Sequence, residues 1–279
     1  MDDEYNDGLH KKNNKHDSRV FVLIKQIDFS KYSSLKIGTT LDVLIINEID
    51  KYENYQIIGK ANNLLISNTP KKPLAILSKN FDYIKIEDNF LKIGGATPTG
   101  KIFNFCKANN IKNFEFVGKL PGCLGGMIKM NAGMKSYEIF NNLVSIKTYQ
   151  NEIEKENIDY GYRYCNIDEI IYEATFNIEF GFDYQLLDEL EKMRLNQPKG
   201  HSAGSCFKNP PNNFAGRLLE NVGLKGYKIN GIGFSDIHAN FLINYENATF
   251  EDAISMIDLA KNRVFEEFGV KLQAEIQIF

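Results

Sequence analysis

The middle of the chain consists of short runs of β-branched and aromatic residues, a pattern typical of strands. Two alternating runs meet at the Asp88-Asn89 step, which predicts a hairpin. The segment TGKIFNFCKANN places Ile102, Phe103 and Cys106 on one face of a predicted short helix. We therefore expect a strand-dominated region with inserted helices, whose strand runs are LDVLIIN, YQIIG, LAILS, FDYIKIEDNFLKIGG, LVSIKTY and IIYEATFNIEF.

Helical periodicity replaces the strand pattern in the last third of the chain. It predicts helices in DYQLLDELEKMRL and in NFAGRLLENVG, the second with Gly223 just past its end. Thr249 and Asp252 resemble the capping box that starts a helix, and Gly269 ends that third helix. We expect its apolar residues to share one face: Ala253, Ile257, Ala260, Val264 and Phe268.

The closing segment, KLQAEIQIF, alternates apolar and polar residues and predicts a strand. Its apolar face would carry Leu272, Ala274, Ile276 and Ile278. Glu275 falls on the other face, where its simplest interpretation is the polar side of an edge or half-buried sheet. The change from strand to helix periodicity places a domain boundary near Gly181 to Tyr184.

Composition and charge narrow the function classes. At 279 residues the chain can bury a sizeable core, in two domains or one large one. The formal net charge of -3 gives no general attraction to nucleic acid or to anionic membranes. The first 18 residues are polar, and the apolar run Val20 to Ile24 is too short for a signal peptide or a membrane span. We expect a cytoplasmic protein with a loose N-terminal tail.

Cysteine and histidine positions give no metal-site spacing. The four cysteines lie far apart with no C-x-x-C pair, which suits a reducing compartment and disfavours zinc: Cys106, Cys123, Cys165 and Cys206. The four histidines are equally scattered: His10, His16, His201 and His238. The sequence therefore predicts no metal site.

Two glycine-containing segments are candidates for anion binding. GATPTGKI, from Gly95 to Ile102, matches G-x-x-x-x-G-K but has Ile102 where a P-loop needs a hydroxyl for magnesium, so a strand-to-helix turn is favoured over an ATPase site. GKLPGCLGGMIKMNAG, from Gly118 to Gly133, has five glycines around one proline. Its backbone amides could cradle an anion, or it could merely connect two elements, and the residues leave both open.

Two further polar segments have ordinary local interpretations. HSAGSCFKNPP, from His201 to Pro211, combines small polar residues with an Asn-Pro step and predicts an exposed loop or turn. In DYGYRYC, Arg163 stands among three tyrosines and is most simply a solvated strand residue.

In chain order, however, these segments resemble the UDP-N-acetylenolpyruvoylglucosamine reductase family. The resemblance runs from about Ser34 to Phe279, and the order and spacing of its blocks are more specific than any single block. The blocks are IIGKANNLLIS, GKLPGCLGGMIKMNAG, YR at Tyr162, QP at Gln197, AGSCFKNP, GLKG, SDIHANFLIN and LQAEI.

The resemblance implies an α+β protein with a FAD-binding region of the p-cresol methylhydroxylase type. That region would span residues 19–182 in two subdomains with a boundary near residue 78. A substrate-binding α+β domain would follow at 183–279, and residues 1–18 would form the polar tail. The short interval from Arg163 to the second domain resembles the shorter subtype.

The resemblance also implies site residues. Ser205, in the A-G-S-x-F-K-N-P segment, would be the proton donor, with Arg163 and Glu275 as the other catalytic residues. Substrate binding is expected from Lys208, Asn209 and Lys225. Cofactor binding is expected from Gly59, Asn62, Asn63, Leu64, Gly118, Pro121, Gly122, Gly125, Gly126, Asn131, Ala132 and Gly133.

This chain departs from the family pattern in two places. The family's G-G-G-S-N-L-L loop is here Gly59 to Leu65, GKANNLL, so two glycines and the serine are replaced. The family's K-Q-P is Asn196-Gln197-Pro198, which removes a cation that could contact the substrate diphosphate. We expect Lys208 or Lys225 to compensate.

The implied activity is reduction of UDP-N-acetyl-enolpyruvoylglucosamine to UDP-N-acetylmuramate for peptidoglycan synthesis. NADPH and the UDP-sugar would use one cleft in turn, with non-covalent FAD as cofactor. We expect a monomer with no nucleic-acid or membrane partner. Two alternatives remain: a flavin oxidase with the same FAD domain, and an ATPase built on Gly95 to Lys101.

Overall fold

A computed structural model of the chain describes residues 23–195 and 197–279. The predicted tail at 1–18 and the predicted departure at Asn196 lie outside these residues. The first layer is a four-stranded sheet in the order β1-β2-β5-β3, in which β1 and β2 are antiparallel and β2, β5 and β3 are parallel. Its elements are β1 (Leu23–Asp28), the short helix α1 (Phe29–Tyr32), β2 (Thr40–Ile46), β3 (Gln56–Ile57) and β5 (Leu74–Leu77).

The second layer is a five-stranded antiparallel sheet in the order β11-β10-β14-β7-β6. Its strands are β6 (Ile84–Glu87), β7 (Phe90–Gly94), β10 (Leu143–Lys147), β11 (Glu152–Glu154) and β14 (Glu173–Asn177). The predicted hairpin is confirmed, because Glu87 pairs with Phe90 across a turn in which Asp88 and Asn89 both have positive φ. Helices α2 (Thr99–Ala108) and α3 (Leu124–Lys129) contribute to the core of this layer.

The predicted helix around Ile102 is therefore confirmed as α2. Ile102 and Cys106 are fully buried, whereas Phe103 is half-buried and packs edge-to-face on Phe182. Four short strands form two hairpins beyond this helix: β8 (Gly133–Met134), β9 (Tyr137–Glu138), β12 (Tyr160–Gly161) and β13 (Tyr164–Cys165). The second hairpin presents Arg163, as described below.

The third layer is an antiparallel sheet in the order β15-β18-β17-β16, packed against two helices. Its elements are β15 (His201–Ser205), α5 (Ala215–Asn221), β16 (Lys228–Ile229), β17 (Ile232–Phe234), β18 (Phe241–Asn244) and α6 (Phe250–Phe268). Both predicted helices are confirmed, α5 with Gly223 beyond its end and α6 with a complete Thr249–Asp252 capping box and Gly269 at its C-cap.

Two predictions about apolar faces are wrong. Phe268 is the last residue of α6 and is 39% exposed instead of joining Ala253 and Val264 in the core. The closing segment is a strand only at β19 (Gln277–Ile278), and Ile278 is 38% exposed. That strand pairs in parallel with β4 (Leu64–Leu65) in a separate two-stranded sheet, and because the residues before it are not in a strand, the alternating pattern does not place all four apolar residues on one face.

Helix α4 (Tyr184–Arg194) begins beside the predicted domain boundary. Its N-cap Asp183 accepts from the Leu186 N–H, and Leu186 and Leu190 pack into the second-layer core. Conversely, Leu35 and Leu65 from the N-terminal half pack into the third-layer core. The three layers are thus joined by shared core residues, and the boundaries near residues 78 and 182 stay predictions. Among the described residues no helix is long and apolar enough to cross a membrane.

Candidate active site

A cleft of about 1410 Å³ lies where the three layers meet. Its walls come from the loop after β3, the glycine-rich segment around α3, the β12–β13 turn, β15 and the C-terminal segment. Single ligands of drug size occupy pockets of about 300–1,000 Å³, so this cleft has room for two ligands that meet. Within the described part of the chain no cluster of three metal-ligating residues occurs.

Arg163 and Glu275 form an ion pair in this cleft, with 3.1 Å between Nε and Oε1. Their side chains are only 18% and 16% exposed. Arg163 has a φ of 60° in the two-residue turn between β12 and β13, and its Nη1 and Nη2 donate to the carbonyls of Asn131 and Gly133 at 3.3 and 2.7 Å. The surroundings hold the backbone of this non-glycine residue in an uncommon conformation, and the ion pair with the two carbonyl contacts holds the guanidinium in place. The interpretation of Arg163 as a solvated strand residue is therefore wrong.

Glu275 is the acidic partner of Arg163 in this ion pair. Burial raises the pKa of its carboxyl, although the positive charges of Arg163 and Lys208 oppose the shift. Its backbone is fixed at both ends, because its N–H donates to the Cys206 carbonyl and its own carbonyl accepts from the Asn63 side chain at 3.0 Å. A buried carboxyl whose pKa is raised can hold a proton and donate a hydrogen bond.

Ser205 ends strand β15 and faces the same cleft. It pairs with Phe241 of β18 after a register shift between Ser202 and Ser205, where Gly204 has a φ of 82°. The prediction of an exposed loop is therefore wrong for His201 to Ser205, because the bulge allows small polar residues to join a sheet. Ser205 also lines a second cavity of about 340 Å³ on the third layer, so this residue borders two open spaces.

The loop from Gly59 to Leu64 forms one wall of the cleft, and it contains all four predicted cofactor residues of this segment. Gly59 and Ala61 have left-handed φ values of 47° and 49°, so Ala61 adopts a conformation that favours glycine. Asn62 donates to the Ser34 hydroxyl at 2.6 Å, while its buried Oδ1 has no partner among the described residues. An unpartnered buried acceptor beside a cleft is a site for a ligand donor.

Six predicted residues of the glycine-rich segment also line the cleft: Pro121, Gly122, Gly125, Gly126, Ala132 and Gly133. Asn131 lies behind them, fully buried, and its side-chain amide donates to Glu138 and to the Gly161 carbonyl. Because the Asn131 carbonyl also accepts from Arg163, this residue joins the segment to the Arg163 turn. Gly118 does not reach the cleft, and it packs against the ring of Phe103 instead.

The structure does not bring the predicted substrate-binding residues together. Lys225 pairs with Glu220 at 2.8 Å on the third-layer surface, and it lines neither cavity. Asn209 lines the smaller cavity and accepts from the Ala215 N–H. Lys208 is near enough to influence Glu275 but does not line the cleft. Sequence reasoning missed the cleft-lining Arg194, whose only signal was a basic residue just before the QP block.

The ATPase-like segment from Gly95 to Ile102 does not form a phosphate-binding loop. Lys101 pairs with Asp82 at 2.8 Å, and the Gly125 N–H donates to the Gly95 carbonyl. Pro98 and Thr99 form the start of α2, so the segment is the strand-to-helix turn that the sequence favoured.

Comparisons with known proteins agree with this geometry. Residues 196–279 match the family model of the UDP-N-acetylenolpyruvoylglucosamine reductase C-terminal domain. The UDP-N-acetylenolpyruvoylglucosamine reductases of Campylobacter jejuni (strain RM1221) and Helicobacter pylori (strain ATCC 700392 / 26695) are 49% and 48% identical to this chain. The first alignment covers 90% of this chain and 99% of the relative, and the second covers 92% and 99%.

The crystal structure of the reductase from Thermus caldophilus superposes with a TM-score of 0.82. It covers 93% of this chain and all of the other at 23% identity, which shows a shared mixed helix and strand fold. Near-full-length identity close to one half, with the matched C-terminal domain, shows that the chain belongs to the UDP-N-acetylenolpyruvoylglucosamine reductase family.

Proposed function

We propose that the chain is a FAD-dependent, NADPH-driven reductase that converts UDP-N-acetyl-enolpyruvoylglucosamine to UDP-N-acetylmuramate in peptidoglycan precursor synthesis. One observation carries the proposal: the buried Arg163–Glu275 pair shares a cleft with the Ser205 hydroxyl. This set can hold a carboxylate-bearing substrate and supply a proton beside it.

The residues around the cleft fit a flavin. The unpartnered Asn62 Oδ1 can accept from a cofactor hydroxyl or N–H, and a Cβ at Gly126 would meet nothing within 4 Å, so the backbone there is open to a ligand. Gly59, Asn63 and Leu64 would complete one side of the binding loop. When bound, FAD would accept hydride from NADPH and pass it to the enolpyruvyl group. Among the described residues no histidine lines the cleft, which supports non-covalent binding.

The first and second layers support the FAD-binding region of two subdomains, and the third layer supports the substrate domain. Asn63 connects them, because it belongs to the cofactor loop and donates to the carbonyl of Glu275. This hydrogen bond joins the proposed cofactor loop to the backbone of Glu275.

Arg163 and Glu275 would stabilise charge on the substrate carboxylate. Hydride addition to the terminal enol carbon leaves negative charge on the adjacent carbon and its carboxylate. Arg163 already has a fixed guanidinium, and the raised pKa of Glu275 favours the protonated form that can donate to this carboxylate. Ser205 would then give its proton to the carbanionic carbon, a strong base that an ordinary hydroxyl can protonate when correctly placed.

Removing the Ser205 hydroxyl tests the proposal. In Ser205→Ala, NADPH should reduce the flavin at nearly the normal rate in stopped-flow absorbance. Reoxidation by the enolpyruvyl substrate should slow by roughly 10²- to 10⁴-fold, the effect typical of a lost general acid. That factor corresponds to about 3–5 kcal/mol of barrier, more than a small packing change supplies.

Ser255→Ala is the control, because it removes an exposed hydroxyl of α6 that lines neither cavity and should leave both phases near normal. Equal slowing of both phases in Ser205→Ala would contradict the assignment of Ser205. Failure of the wild type to form UDP-N-acetylmuramate, with rapid reoxidation in air, would favour the flavin oxidase instead.

A further inference from the structure

Arg194 is a cation of the cleft that the catalytic arrangement leaves unused. It is the last residue of α4 and is half-buried in the cleft wall. Its Nε donates to Gln197 Oε1 at 2.9 Å. Among the described residues no other hydrogen bond and no ion pair uses this guanidinium, so four of its five N–H donors are open.

Other cations of the cleft differ from Arg194 in this respect. Glu275 and two backbone carbonyls already take three of the five N–H donors of Arg163, and the proposed substrate carboxylate takes up its remaining capacity. Lys51 pairs with Glu53, and Lys129 pairs with Asp168. The remaining lysines, Lys60, Lys72 and Lys135, are exposed to solvent. Arg194 is thus a partly desolvated charge without a counter-charge from the described residues, an unfavourable state that a bound anion relieves.

The position of Arg194 is also well defined. Leu190 in the preceding turn is fully buried, and Leu186 and Leu187 anchor the first half of the helix. Gln197 holds the guanidinium from the other side. An arginine anchored in this way loses little conformational freedom on binding, which suits bidentate recognition of phosphate.

We propose that Arg194 binds the diphosphate of the nucleotide-sugar substrate, and this inference rests on the proposed function. The substrate carries two kinds of anion, and Arg163 beside Glu275 accounts for the carboxylate. From Arg194 the wall continues through Gln197, Pro198 and Gly200 to Ser205, all of which line the cleft. A nucleotide sugar along this wall places its diphosphate at Arg194 and its reacting end at Ser205.

Calorimetric titration of the FAD-loaded full-length chain with UDP tests this role. Arg194→Gln should weaken UDP binding by roughly tenfold to a hundredfold, the loss expected for a charge-assisted hydrogen bond. Uridine, measured by competition, lacks the phosphates and should bind both proteins equally. Arg194→Lys should recover part of the loss, because it keeps the charge without the planar fork.

Lys192→Gln is the matched control, since it removes one positive charge from an exposed position of the same helix. It should leave UDP binding unchanged. Flavin absorbance and the melting temperature confirm that each variant is folded and loaded.

Unchanged UDP binding in Arg194→Gln, or an equal loss for uridine, overturns the inference alone. Normal UDP binding by Arg194→Gln together with slower flavin reduction by NADPH also overturns it, because Arg194 would then contact a phosphate of NADPH. A wild type that fails to bind UDP overturns the nucleotide-sugar assignment, and this inference with it.

Discussion

At the scale of single residues, burial and neighbouring positive charges shift the pKa of Glu275 in opposite directions, and the stability of the fold therefore depends on pH. Its folded-state pKa is raised above the ordinary 4.5 because burial disfavours the charge more than Arg163 and Lys208 favour it. Above pH 4.5 and up to the raised pKa, the folded chain keeps a proton that the unfolded chain releases, so stability falls as pH rises through this window. Above the raised pKa the carboxyl is ionised in both the folded and the unfolded chain, and the full destabilisation from burying its charge remains.

Glu275→Gln removes this titration while keeping an acceptor for Arg163. We expect the melting temperature of the variant, relative to wild type, to rise between pH 4 and pH 8. Thermal melts at a series of pH values measure this difference, with the exposed Glu266→Gln as control. A difference that does not vary with pH would show that Glu275 ionises in the folded chain as it does in water.

At the scale of elements, α6 depends on its N-terminal cap. Thr249 accepts from the Asp252 N–H, and Asp252 accepts from the Thr249 N–H, so two otherwise unpaired donors are satisfied. Thr249→Ala should lower stability by about 1 kcal/mol. For a chain of this size that is roughly 2–4 °C in melting temperature.

Thr249→Ser keeps the hydroxyl and should stay close to wild type in the same calorimetric scan. If Thr249→Ala has the same melting temperature as Thr249→Ser, the cap contributes nothing to stability and the buried face of α6 alone stabilises the helix. That face includes Ala253, Ile257 and Ala260.

At the scale of the whole molecule, the proposed binding of FAD in a cleft shared by the three layers would stabilise all of them together. A ligand that binds only the folded chain stabilises it by about 2.7 kcal/mol at a hundred times its Kd. Removing FAD should therefore lower the melting temperature by roughly 5–10 °C relative to the reconstituted protein. Acid precipitation should release the yellow colour into the supernatant.

Riboflavin added to the stripped protein is the control, because it lacks the diphosphate and adenosine and should restore less stability. Colour that stays in the acid pellet would contradict non-covalent binding. A stripped protein that melts at the same temperature with and without FAD would contradict a cofactor site in the cleft.

The sequence by itself determined the local features of this protein. The Asp88-Asn89 hairpin, helix α2 and the capped helix α6 follow from short-range patterns, because turn conformations, capping and apolar periodicity depend on neighbouring residues. The order of the motif blocks also determined the family, since Ser205, Arg163 and Glu275 stand in recognisable surroundings.

Only the tertiary structure decided which of these residues meet. Arg163 and Glu275 are 112 positions apart, and their ion pair exists because a strained turn and the C-terminal segment reach one cleft. Local alternation gave the wrong face for Ile278, because only Gln277–Ile278 of the closing segment forms a strand and the two-residue period does not hold before it. The tertiary fold also placed Arg194 in the cleft wall and left Lys225 outside both cavities, paired with Glu220, a distinction that residue type does not contain.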